Sequence, residues 1–137
     1  MSDQELKILV RSFSYKKRML SDDSGHGFGF VFDMRAIDNP GRIEHMKVMS
    51  GMDKEVRDYL ENETRIMEFL QHVKGLIDIT VENFLERNFT NLTINFGCTG
   101  GQHRSVFAAE WMTVYLKEKY GVEVVLEHLE RGTWVRR

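Results

Sequence analysis

Nine residues in the last third of the chain, Gly97-Cys98-Thr99-Gly100-Gly101-Gln102-His103-Arg104-Ser105, constrain its fold more than any others. Before them, Leu92-Thr93-Ile94-Asn95-Phe96 reads as a strand rich in β-branched and aromatic side chains. After them, Val106, Ala109, Met112 or Thr113, Leu116 and Tyr120 recur at helical spacing, and Gly121 stands where a C-terminal glycine cap belongs. A strand that turns through glycines straight into a helix is a unit of layered α/β folds.

The same unit favours an anion. A helix N-terminus presents N–H groups with no intrahelical partner and a partial positive charge. Glycines let the backbone curl and let a bulky oxyanion approach it. Thr99 and Ser105 add hydroxyls, His103 adds a ring donor, and Arg104 is suited to gripping phosphate with two nitrogens. Phosphate, sulfate or carboxylate is the ligand chemistry this set fits. The plainer alternative is a structural turn with solvated polar groups. Three glycines, two hydroxyls, a histidine and an arginine within nine residues weigh toward the ligand.

The rest of the pattern supplies the layers. Residues 7–14 alternate Ile8, Val10, Ser12 and Ser14 with Leu9, Arg11 and Phe13, as a strand does. Residues 21–29 are polar and glycine-bearing, hence a loop. Residues 30–35 read as a second, buried strand that ends in a turn on Asn39-Pro40-Gly41. Residues 42–50 are ambiguous, and Asp53 is placed as a helix N-cap. From Lys54 to about Arg87 the apolar spacing is helical, with Asn62 or Thr64 placed to split the stretch in two. Residues 122–129 give a last strand, and residues 130–137 a polar, basic tail. Strands alternating with helices predict a single-domain layered α/β fold with a mainly parallel sheet, its core spanning about residues 7–129. Ligands of such sheets bind outside the carboxyl ends of the strands, where Asp33, Arg35 and the glycine loop all fall.

A chain of 137 residues suits one domain, and a formal net charge of −2 argues against a generic nucleic-acid binder while leaving a local basic patch open. Its single cysteine, Cys98, has no intrachain disulfide partner, which fits a reducing compartment. The five histidines show no metal-ligand spacing, and no cofactor motif is found, so neither metal nor cofactor is expected. Without a signal-peptide h-region or a bilayer-length apolar run, a cytoplasmic protein with no membrane partner is expected.

Other candidates carry an open choice between chemistry and structure. Cys98-x5-Arg104-Ser105 is similar to the signature of cysteine-dependent phosphatases, in which a thiolate lowered by a helix N-terminus attacks phosphorus. Asp33 or Asp38 would then be the general acid. A buried, inert Cys98 is the other reading. Asp33 and Arg35 share a strand face and form either a structural ion pair or a hold on a ligand's amine and phosphate. Lys16, Lys17 and Arg18 are a solvated charge run or a contact for nucleic-acid phosphates, and Arg131, Arg136 and Arg137 add basic groups at the tail. His128 reads as a satisfied histidine and His26 as part of a flexible loop.

These motifs together resemble one family. The loop through Val106, Ser12-Phe13, Val31-Phe32-Asp33-Met34-Arg35 with Asn39-Pro40, and Gly51-Met52-Asp53-Lys54 follow in the order found in the C-terminal domain of RapZ (YvcJ in other bacteria), over roughly residues 7–129. The resemblance implies a fold similar to a phosphofructokinase subdomain and a regulatory adaptor that senses glucosamine-6-phosphate, binds a small RNA and forms oligomers. It implies a phosphosugar pocket of Asp33, Arg35, Thr99, Gly100, Gly101, His103 and Arg104, to which the loop chemistry adds Cys98 and Ser105. A partner protein and further copies of the chain are the other partners it implies. The chain has no Gly-x4-Gly-Lys-Ser/Thr motif, so it is expected to be a stand-alone form of this domain, and ATP or GTP binding is not carried over.

Overall fold

The computed structural model describes residues 5–22 and 24–136. Four strands form one sheet: β1 (Lys7–Ser14), β2 (Phe30–Asp33), β3 (Asn91–Cys98) and β4 (Glu123–His128), in the order β2-β3-β1-β4. Every neighbouring pair is parallel, with Ser14 opposite Cys98, Asp33 opposite Gly97 and Ser12 opposite His128. Helices α1 (Lys54–Glu63) and α2 (Ile66–Glu86) link β2 to β3, and α3 (Arg104–Tyr120) links β3 to β4. The layered α/β prediction therefore holds, with a sheet that is wholly parallel.

Topology decides where the layers go. Both helical crossovers step across the sheet in the same direction, so right-handed connection puts all three helices on one face. The helix-free connection from β1 to β2 steps the other way and lies over the opposite face. There Arg11 Nη1 donates to the Ser21 carbonyl, and Asn95 Nδ2 donates to the carbonyls of Phe28 and Phe30.

Between sheet and helices, Ile8, Val10, Ile94 and Phe96 meet Ala109, Met112 and Leu116 of α3 in one cluster that also takes in Val56 and Leu60 of α1. The α2 stripe Ile66, Leu70, Val73, Ile77 and Val81 is buried at the predicted helical spacing. Each such aliphatic side chain contributes about 1.5–3 kcal/mol on burial. Leu85, near the C-terminal end of the same helix, is 40% exposed.

Several boundaries differ from expectation. The helical stretch does split at Thr64, whose Oγ1 donates to the Leu60 carbonyl at 2.5 Å and accepts from the Ile66 N–H at 3.2 Å. Asp53 sits at the N-cap of α1, yet its carboxylate accepts from the Ser50 N–H at 2.7 Å instead of capping the helix. The predicted turn on Asn39-Pro40-Gly41 is a single 3-10 turn, Pro40–Arg42, and a second, Glu44–Met46, lies in the ambiguous stretch. β2 stops at Asp33 because the chain turns there, the Ile37 N–H reaching back to the Met34 carbonyl. The basic tail folds back on the glycine loop: Trp134 Nε1 donates to the Gly101 carbonyl at 2.9 Å and the Val135 N–H to Gln102 Oε1 at 2.8 Å. Among the described residues no helix is long and apolar enough to cross a membrane.

Candidate functional site

The carboxyl ends of β1, β2 and β3 converge because the strands are parallel and adjacent. The glycine loop leaves β3 there and enters α3 at Arg104. Among the described residues, the backbone N–H groups of residues 99–105 donate to no backbone carbonyl outside the regular elements. A run of such N–H groups opening a 17-residue helix is a backbone arrangement with the donor chemistry that suits an anion.

The loop is fixed from below. Ser14 Oγ donates to the Thr99 carbonyl at 2.5 Å, tying the end of β1 to the loop. Gly97 lies under the rings of Phe13 and Tyr15, and a Cβ there would fall 2.4 Å from Phe13. Gly101 has φ +69° and is wedged between the Phe13–Ser14 backbone and Glu130. Gly100 borders open space, and Thr99 is exposed, so these two residues form the accessible lip.

His103 and Arg104 are both tied to backbone carbonyls of the segment between β2 and α1. His103 is buried, and its Nε2 is bonded to the Met46 carbonyl at 2.9 Å, so that nitrogen carries the proton. Burial holds its pKa below the ordinary histidine value, with the Met46 bond opposing, which keeps the ring neutral. Arg104 is 5% exposed, and its Nη1 donates to the carbonyls of Arg35 and Ile37 at 3.2 and 2.7 Å. Among the described residues, its Nε is buried with no partner. A buried guanidinium N–H left unpaired is costly and rare in folded proteins.

Asp33 and Arg35 meet at the mouth as a two-pronged ion pair, with Nη2 to Oδ2 at 2.7 Å and Nε to Oδ1 at 2.9 Å. The Arg35 hydrogen bond holds the Asp33 carboxyl below its ordinary range, against burial. Arg35 also lies 4.1 Å over the Tyr15 ring. Both charges are about half exposed, so the pair is accessible to a ligand and adds little stability by itself. Asp38 is exposed on the turn that follows.

Cys98 faces the other way. The thiol is 2% exposed and belongs to the core cluster, with Sγ 3.1 Å from the Ser105 Oγ, itself fully buried. Neither Cys98 nor Ser105 lies on the accessible lip.

The two basic clusters that sequence separates are brought together beside the loop. Lys17 Nζ donates to Thr133 Oγ1, and Arg18 grips Glu130 through Nε at 2.6 Å and Nη2 at 3.0 Å. Arg131 lies over the Trp134 ring, and Arg136 Nη2 donates to the Arg131 carbonyl. Lys16 is exposed next to them. Arg137 lies outside the described residues. Among the described residues no three His, Cys, Asp or Glu side chains gather as a metal-ligand set.

Sequence reasoning did not place Ser14, Tyr15 and Glu130 beside the glycine loop. Ser14 and Tyr15 had a signal, since the end of any strand beside the glycine loop in a parallel sheet must border it. Glu130 had none: it is an acid in a basic tail, yet it is 3% exposed and accepts from the Ser14 N–H as well as Arg18. Burial pushes its carboxyl up, and these donors more than offset that, leaving it low.

The profile of the family described as the RapZ C-terminal domain matches residues 6–132. Relatives named nucleotide-binding protein are similar over most of the chain. That of Glaesserella parasuis is 36% identical over 93% of this chain and 42% of its own length. Those of Thermosipho melanesiensis and Finegoldia magna are 34% and 35% identical over 91% and 96% of this chain, and over 42% and 44% of their own lengths. The chain thus spans less than half the length of these curated relatives.

Proposed function

The chain belongs to the RapZ C-terminal domain family, and on that premise we propose that it is a non-catalytic regulatory domain that binds a phosphorylated small molecule, an amino-sugar phosphate such as glucosamine-6-phosphate, at the loop of residues 97–105. One observation carries this reading: N–H groups of residues 99–105 that donate to no backbone carbonyl outside the regular elements open α3, beside the unpaired buried Nε of Arg104. A phosphate offers three oxygens to such donors. The Thr99 hydroxyl joins from the lip, and the Asp33 carboxylate and Arg35 guanidinium stand where an amine and a phosphate would be told apart. The relatives' name, nucleotide-binding protein, is in keeping with a phosphorylated ligand.

Calorimetric titration with glucosamine-6-phosphate, glucosamine and inorganic phosphate tests the reading. Saturable binding that prefers the sugar phosphate and weakens with the exposed-site variant Arg35→Ala supports it. No binding, or equal weak binding of all three, overturns it.

A second reading, an RNA-binding adaptor, is favoured by the joining of Lys16, Lys17 and Arg18 with Arg131 and Arg136 beside the loop. Affinity for RNA would then fall steeply with salt. A cysteine-dependent phosphatase using Cys98, Arg104 and Asp33 has no comparable support, because the thiol packs within the core.

A further inference from the structure

A cavity of about 560 Å³ lies between α1 and α3, away from the accessible lip of the glycine loop. Its floor is apolar and aromatic, with Met52, Phe107 and Trp111, and Trp111 stacks on Tyr115 at 5.7 Å. Three carboxylates, Glu61, Glu110 and Glu118, surround it against a single guanidinium, Arg57. Among the described residues, the ion pairs engage neither Glu61 nor Glu118.

Glu110 is held from behind. Its Oε2 is 2.6 Å from His128 Nε2, and the Nδ1 of that histidine is 2.6 Å from the Ser12 Oγ. Ser12 is fully buried and the His128 side chain is 3% exposed, while Glu110 is 35% exposed toward the cavity. Ser12 Oγ, the two ring nitrogens of His128 and Glu110 Oε2 thus form one continuous chain of hydrogen bonds. Such support from behind fixes a ligand-facing carboxylate in one orientation, as outer-shell partners do for metal ligands. It occupies Oε2, and among the described residues Oε1 takes no hydrogen bond.

We infer that this cavity is a binding site for a small organic cation, a protonated amine on an aromatic or apolar body. The ammonium sits at Glu110, between the unpaired Glu61 and Glu118, and the body lies on Trp111. An aromatic face beside fixed negative charge is the arrangement that selects cations over neutral isosteres. The volume is that of small-molecule pockets, which run from about 300 to 1,000 Å³.

The test is calorimetric titration with tyramine and with tyrosol, its neutral alcohol analogue, while the indole N–H resonance of Trp111 is followed by NMR. Saturable tyramine binding that shifts that resonance, no tyrosol binding, and about tenfold or greater weakening in Glu110→Gln are expected. Glu118→Gln changes an exposed side chain and Trp111→Ala a partly buried one, and each should also weaken tyramine, so Glu118→Gln keeps the inference testable if Glu110→Gln does not fold. Equal binding of both compounds, tyramine binding unchanged in all three variants, or no saturation in the millimolar range would overturn it. Binding of glucosamine-6-phosphate at the loop is measured on the same variants and is expected to be unchanged, which separates the two sites.

Discussion

Arg104 Nη1 donates to the Ile37 carbonyl at 2.7 Å, so the first residue of α3 clamps the turn that follows β2. The same nitrogen reaches the Arg35 carbonyl, and thus the guanidinium positions the backbone that carries the Asp33–Arg35 pair. Replacing it with Met keeps the bulk and strands two carbonyls. Arg104→Met is therefore expected to cost about 2–4 kcal/mol in urea unfolding. A loss under about 0.5 kcal/mol would mean that the clamp is not a structural element.

Gly101 and Gly100 make a paired prediction. At Gly101, alanine would adopt φ +69°, with its Cβ 2.6 Å from Glu130 Cγ and 3.0 Å from the Phe13 backbone. Glu130 cannot move aside while it holds Arg18 and the Ser14 N–H. Gly101→Ala should lose about 2 kcal/mol or more. Gly100→Ala meets nothing within 4 Å and should stay within about 0.5 kcal/mol of wild type. Similar urea midpoints for the two variants would contradict this account of the loop.

Much of this was legible beforehand because periodicity and glycine placement are local. The alternation in residues 7–14 and the 66-70-73-77-81 stripe gave strand and helix directly. The loop was legible for the same reason, as a strand, three glycines and a helix in succession. Side-chain roles inside it were not. That Arg104 Nη1 reaches the Ile37 carbonyl depends on where a turn nearly seventy residues earlier comes to rest. The tail was read as polar and basic because its charges are plain in sequence, whereas Trp134 docks through one hydrogen bond to the Gly101 carbonyl and Val135 through two to the Gln102 amide, which no spacing announces.

Cys98 gives a direct measure of its surroundings. A thiol that is 2% exposed and packed in the core reacts only when the protein opens. Native protein should therefore label slowly with a thiol-specific disulfide reagent and rapidly in denaturant. Cys98→Ala should leave anion affinity at the loop unchanged. Fast labelling of native protein, or loss of phosphate-ester hydrolysis on Cys98→Ser, would instead reopen the nucleophile reading.

His103 predicts an acid-side loss of stability at mild pH. Burial holds its folded pKa below the ordinary 6.5. Above 6.5 the ring is neutral both folded and unfolded, and its contribution is full. As pH falls below 6.5, the unfolded chain takes up a proton that the folded ring refuses, so stability drops until pH reaches the folded value. Glu130 also has a lowered pKa, but its contribution is lost below 4.5, a separate window. Glutamine at position 103 keeps an N–H donor for the Met46 carbonyl and cannot titrate. The difference in urea midpoint between wild type and His103→Gln should accordingly be flat above pH 6.5 and shrink in favour of the variant below it. A difference that stays constant from neutral pH to 4.5 would place the acid sensitivity elsewhere.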